Sequence, residues 1–141
     1  MPMTEYTRAA LANSLFGLTS SFGALASAPS LYVGLSSTTP DSTGGNITEP
    51  SDVSYARVST PHSSWNSATS ADPSVVQNSA IITFPTATTD WSSGAVMTNL
   101  VLFDADTNGN CVGFTTLDSS TAVLSGQTAS FAALALSINT A

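Results

Sequence analysis

Two hydrophobic periods divide the chain. Near the start, Leu11, Leu15, Leu18 and Phe22 recur three or four residues apart, the spacing that lines one face of a helix. Thr4 can cap such a helix, and Glu5 places a carboxylate in its first turn. The spacing predicts a helix over about residues 4–18. Its apolar stripe needs a partner surface, either the rest of the chain or a neighbouring subunit. From residue 29 onward the period falls to two, or to short apolar runs bounded by turn residues. Residues 30–36 (SLYVGLS), 54–59 (SYARVS) and 79–84 (SAIITF) are expected strands. Residues 38–52 and 60–73 are expected polar loops, rich in Gly, Pro, Ser and Thr. Residues 122–124 and 129–138 are expected to pair across Ser125-Gly126-Gln127, and the last of these runs carries apolar residues on both faces. About eight strands at this spacing imply a mainly β fold, an antiparallel β-sandwich or jelly roll with a short N-terminal α-helix. The implied organisation is an N-terminal helix and linker over residues 1–28, acting as an interaction arm, and a β-sandwich domain over residues 29–141.

The stretch NLVLFDADTNGNCVGF (99–114) poses a choice. It reads D-x-D-x-N-G from Asp104 to Gly109, as a calcium loop does. An EF-hand loop needs a bidentate Glu at its twelfth position, and that position is Thr115. The flanks are short β-branched and aromatic runs rather than helices. Asn108-Gly109 is the dipeptide of a tight turn, so a hairpin tip is expected and a bound metal is not.

Composition narrows the function classes. The chain has 141 residues, no lysine, two arginines (Arg8 and Arg57) and nine acids, for a net charge of −7. Nucleic-acid binding depends on neutralising phosphates with Lys and Arg, so neither DNA nor RNA is an expected partner. An anionic membrane surface is disfavoured for the same reason. Residues 9–26 are too polar for a bilayer span. Ala26-Ser27-Ala28 has the form of a signal-peptide cleavage site, but Glu5 beside Arg8 does not suit the leading segment of a signal peptide. Ser and Thr supply nearly a third of the chain, while 42% is hydrophobic. Such a composition suits a packed β-protein whose polarity comes from hydroxyl groups, with a surface that packs against other protein.

No catalytic set emerges. His62 is the sole histidine, in a polar loop, and no G-x-S-x-G elbow accompanies it. Most of the acids sit beside turn residues, where Asp is favoured for its backbone hydrogen bonds. Cys111 is the one cysteine and is expected to be a buried apolar residue. Asn46-Ile47-Thr48 matches the glycosylation sequon, a motif short enough to occur by chance. No enzyme activity and no cofactor are expected. Trp65, in a polar loop, is the best candidate for a glycan-stacking platform, and Trp91 a weaker one.

Several segments, taken in order, resemble a family of small tailed-phage virion proteins labelled capsid fibre or tail fibre proteins. They are LYVGLSSTTPDSTGGNITEPSDVSYARV (31–58), NSAIITFPTATTDW (78–91), LFDADTNGN (102–110) and an apolar final strand after Gly126-Gln127-Thr128. The helix is poorer in charge than is usual there, and Asn99-Leu100 stands where relatives often carry a histidine and an aromatic residue. The resemblance implies a non-enzymatic structural part of a virion. The leading expectation is a capsid decoration (cement) protein, assembled as a homotrimer on the major capsid protein at the outer shell. Its helix stripe of Leu11, Leu15, Leu18 and Phe22 would make the subunit or shell contacts. The alternative is a tail-fibre or baseplate adhesin module that binds host glycan through Trp65.

Overall fold

A computed structural model describes residues 1–16, 30–70 and 74–140 of the chain. The architecture is mainly β, with eight strands in antiparallel sheets and one N-terminal helix among the described residues. The elements are α1 (Glu5–Leu15), β1 (Leu31–Ser36), β2 (Val58–Thr60), β3 (Ser74–Gln77), β4 (Ile82–Thr83), β5 (Val96–Phe103), β6 (Cys111–Ala122), β7 (Ser130–Phe131) and β8 (Ser137–Thr140). Four strands form the main sheet in the order β2-β1-β5-β6. Two short ladders, β3-β8 and β4-β7, accompany it.

Alternation along β1 and β5 sets the two faces of the sheet. The pairs Val33↔Leu102 and Leu35↔Leu100 share one face, and Tyr32↔Phe103 and Gly34↔Val101 share the other. The first face joins Ile82, Phe84, Trp91, Met97, Val123 and Leu136 in the main core. The small ladders and the segment around Trp91 therefore cover that face in a sandwich-like arrangement. Phe84 and Trp91 meet edge to face at 6.2 Å, and Tyr55 meets Trp91 the same way at 5.2 Å. Trp91 is fully buried, and its indole N–H donates to the Ser54 hydroxyl at 3.0 Å. On the opposite face a smaller cluster joins Val101, Phe103 and Cys111, with Tyr32, Ile47 and Phe114 against it.

The hairpin expected at Asn108-Gly109 is present, with β5 and β6 longer than the expected runs. The connection is longer than a tight two-residue turn: Phe103 pairs with Cys111, Asp104 N donates to Asn110 O at 3.2 Å, and Asn108 and Gly109 have left-handed backbone inside the loop 104–110, φ 54° and φ 71°. Other expectations differ in detail. Within 54–59, ladder pairing begins only at Val58, because Tyr55 closes a turn by donating its N–H to Asp52 O at 2.9 Å. Residues 74–77, inside no expected strand, pair with β8. The expected single strand over 129–138 is two short strands. Its middle turns outward, with Leu134 at φ 64°. The buried side chain of Asn78 holds this break: its Nδ2 donates to Ala80 O and Ala132 O, and its Oδ1 accepts from Leu136 N. Residue 122 pairs with Val96 rather than with the final segment.

A second left-handed stretch follows Trp91. Ser92, Ser93 and Gly94 have φ of 51°, 55° and 81°. Asp52 steadies the turn by accepting from Ser92 N at 2.7 Å.

Candidate interaction surfaces

The helix α1 is joined to the sheet by its small and hydroxyl-bearing side. Thr4 N donates to Val112 O at 3.1 Å, and the hydroxyls of Thr4 and Thr7 donate to Cys111 O and Val112 O at 2.6 and 2.7 Å. Met3 forms an isolated bridge with Gly113. Thr4, Thr7 and Ala10 are buried against this edge of β6. The hydroxyls thus give β6 carbonyls at the sheet edge the donors they would otherwise lack. Leu11 does not join the contact and is 47% exposed; Phe16, just past the helix, is 75% exposed. Leu15 lies in the last turn of the helix. Leu18 and Phe22 lie outside the described residues. The described start of the apolar stripe therefore faces away from the β-domain.

Beyond Phe114, β6 is the outer strand of the sheet, and it bows. Between the pairs Met97↔Thr121 and Asn99↔Thr116, β6 takes five steps where β5 takes two. The bow forms one wall of a groove of about 490 Å³. Leu117, Asp118 and Thr121 lie along that wall, Phe131 and Ala135 lie on the other side, and Leu35, Met97 and Leu136 reach it from the core.

Trp65 is half-buried and packs against the main core. Its backbone forms a bridge with Asn78, and its indole nitrogen is buried without a hydrogen-bond partner. The flat exposed face that sugar stacking needs is therefore not the principal environment of this ring. His62 is exposed on a 3-10 turn (His62–Ser64) beside it. Trp91 is wholly inside the core.

The hairpin tip is tied down by internal groups. Asp104 Oδ1 accepts from Asn110 N at 2.6 Å, and its Oδ2 accepts from Asn110 Nδ2 at 2.9 Å and from the Tyr6 hydroxyl at 3.0 Å. Partial burial alone would raise the Asp104 pKa; the donors from Asn110 and Tyr6 overcome it and hold the carboxyl below its ordinary value. Two carbonyls of the tip already face a cation. Arg57 Nη1 donates to Ala105 O at 2.7 Å and to Asn108 O at 2.8 Å.

The same arginine reaches Glu49 from Nη2 at 2.6 Å and from Nε at 3.0 Å, with its guanidinium carbon 3.3 Å from the centre of the Phe103 ring. The side chains of Arg57 and Glu49 are 7% and 20% exposed. Tyr55 closes the group, donating its hydroxyl to Glu49 at 2.7 Å and accepting from Leu35 N at 3.0 Å. Burial first, and then the Glu49 charge, push the Tyr55 phenol well above its ordinary pKa. Gly34 is where this group crosses the sheet: a methyl there would lie 2.7 Å from Glu49 Oε1 and 2.9 Å from the Tyr55 hydroxyl. The sequence showed Glu49, Tyr55 and Arg57 only as a polar loop and a half-buried strand. The one available signal was that an unpaired arginine in an alternating segment needs an acid.

A search of curated proteins finds no match to this chain. The sequence model of the family described as "Podophage GP4 fiber I protein gp80" matches residues 2–139 and so takes in the helix, the sheet and both ladders. The chain belongs to this family of phage fibre proteins.

Proposed function

We propose that the protein is a structural subunit of a phage fibre, attached near the tail, and that it acts by holding protein partners rather than by chemistry. The observation that carries this reading is the family match, which runs from residue 2 to residue 139. The structure gives the reading a physical form. The outer side of α1 carries Leu11, with Phe16 just beyond it, both left open by the β-domain. Exposed apolar side chains at a helix end are suited to contacts with other subunits. We assign them to the junction with further copies of the chain, as a homotrimer, and with the virion part that bears the fibre. The charge of −7 and the absence of lysine favour a junction of apolar contacts and hydrogen bonds, which survives high salt.

Capsid decoration is the second reading, supported by the small β-rich domain and its hydroxyl-rich composition. Under it the partner is the major capsid protein, and the protein stabilises the shell by binding only the assembled lattice. Copy number in purified virions separates the two. The multiplicity of a tail part supports the fibre, and the multiplicity of the capsid lattice supports decoration. Particles lacking the protein should adsorb poorly to the host yet retain their DNA on heating. Normal adsorption with early DNA release would overturn the fibre assignment. In the same system Leu11→Glu tests the junction: the variant should fold with unchanged melting and fail to enter virions. Full incorporation of Leu11→Glu would remove the helix from the contact.

A further inference from the structure

We propose that Asn108 is a site of self-modification, at which the backbone nitrogen of Gly109 converts the side-chain amide to an acid. Four observations at the hairpin tip converge on it. Asn108 is exposed, and its side-chain amide has no hydrogen-bond partner among the described residues, so the group is free to turn. The next residue is a glycine at φ 71°, with no side chain to shield its nitrogen. That position is closed to other residues, since a methyl there would lie 2.5 Å from Asp104 Oδ1 and 2.7 Å from Ala105 Cβ. The carbonyl oxygen of Asn108 accepts from Arg57 Nη1 at 2.8 Å.

The last contact bears on the chemistry. When the Gly109 N–H loses its proton, the negative charge is shared with the Asn108 carbonyl oxygen. A guanidinium fixed on that oxygen favours the charged form. The deprotonated nitrogen attacks Cγ of Asn108 and forms a five-membered succinimide. The bond from Cγ to the side-chain nitrogen breaks, and that nitrogen leaves as ammonia with the proton taken up from water. One water then opens the ring at either carbonyl, giving aspartate or isoaspartate. No oxidant or reductant takes part. Each event adds one negative charge, and the isoaspartyl product routes the main chain through the former side chain. The Asn108 carbonyl would then leave Arg57, loosening the tip that this arginine holds.

Other asparagines are less well placed. The side-chain amides of Asn46, Asn78 and Asn110 donate to Thr39 O, to Ala80 O and Ala132 O, and to Asp104 Oδ2 respectively. Asn66 is exposed and precedes Ser67, which makes it the natural comparison.

The test holds the folded full-length chain at mildly alkaline pH in oxygen-18 water and follows each asparagine by peptide mass spectrometry. A parallel sample in concentrated urea reports the reactivity of the unfolded chain. In the folded sample, aspartate and isoaspartate should accumulate at residue 108 before residue 66 reacts, with one heavy oxygen per event. A more acidic charge variant should grow in step. Asn108→Gln, whose longer side chain closes a ring far more slowly, should abolish that variant. If residue 108 stays an amide in the folded chain while it converts in urea, the hairpin holds the nitrogen away from Cγ and the proposal fails. It fails equally if Asn66 converts first.

Discussion

Arg57→Leu tests whether the charged group across the sheet holds the fold together. The substitution removes the paired hydrogen bonds to Glu49 and the donor shared by Ala105 O and Asn108 O. Asn108 is exposed, so its carbonyl can turn to water. Glu49 is only one-fifth exposed and keeps Tyr55 as its remaining donor. Removing one member of a buried ion pair costs about 3–5 kcal/mol. The partial exposure of Glu49 places this case at the lower end, about 3 kcal/mol. The lost guanidinium contact with Phe103 adds ~0.5–1 kcal/mol, which the leucine partly restores by packing on the ring. At this chain length a loss of that size lowers the melting temperature by roughly 10 °C. Denaturant titration followed by tryptophan fluorescence measures it, since Trp91 lies inside the core. The double variant Arg57→Leu with Glu49→Gln removes the stranded charge while leaving Tyr55 an acceptor. It should recover about 1–2 kcal/mol relative to Arg57→Leu alone, the coupling expected of neighbouring groups. A cost for Arg57→Leu below about 1 kcal/mol would be that of an ordinary surface pair and would refute the reasoning. So would a double variant no more stable than the single.

Three further outcomes are expected. Ser93→Gly should stabilise the protein by up to about 1 kcal/mol, because Ser93 sits at φ 55°, a conformation costly for any residue with a Cβ; a lower denaturation midpoint would contradict it. The Asp104 carboxyl is more acidic in the folded chain than its ordinary value of 3.8, so its contribution is complete above that pH and is lost as the pH falls through the lower, folded value. Asp104→Asn should therefore flatten the acid side of a stability–pH curve, and an unchanged slope would count against the Asn110 and Tyr6 contacts. The Cys111 thiol is pushed up to about 11, mainly by burial, so iodoacetamide at pH 8 should label it only at the rate of unfolding; rapid labelling of the native protein would mean that the cluster of Val101, Phe103 and Ile47 does not stay closed around it.

What the sequence made legible follows from where periodicity survives. The β5–β6 turn was readable because Asn108-Gly109 lies between apolar runs, and both glycine and asparagine carry the positive φ that the turn requires. The outer half of β6 was not readable. At the sheet edge, residues 115–122 are mostly solvated, and such a strand needs no apolar alternation. The final apolar run looked like one strand, central in a sheet or covered by a partner. Its division depends on Asn78, 54 residues before Ala132, whose amide satisfies the carbonyls and amides that a break exposes. Trp65 was readable as an aromatic residue in a polar loop, but not as one leaning on the core. Of the expected contact stripe, the described portion bears Leu11 outward, and nothing in a helical period alone could tell which side the sheet would take. The sheet took the threonines because β6 offered carbonyls rather than a greasy surface.

The sequestered arginine also governs how the molecule meets proteases. Trypsin-like enzymes cut after lysine or arginine, and this chain offers them only Arg8 and Arg57. Cleavage requires a stretch of main chain to be drawn out into the enzyme's cleft. Arg57 is enclosed and enters β2 one residue later, and Arg8 lies within α1, with its Nη1 donating to Met3 O. The folded particle therefore presents trypsin with no extended basic site. A bacteriophage part built in this way would persist intact in surroundings rich in such enzymes, by geometry and composition together and without a single disulfide.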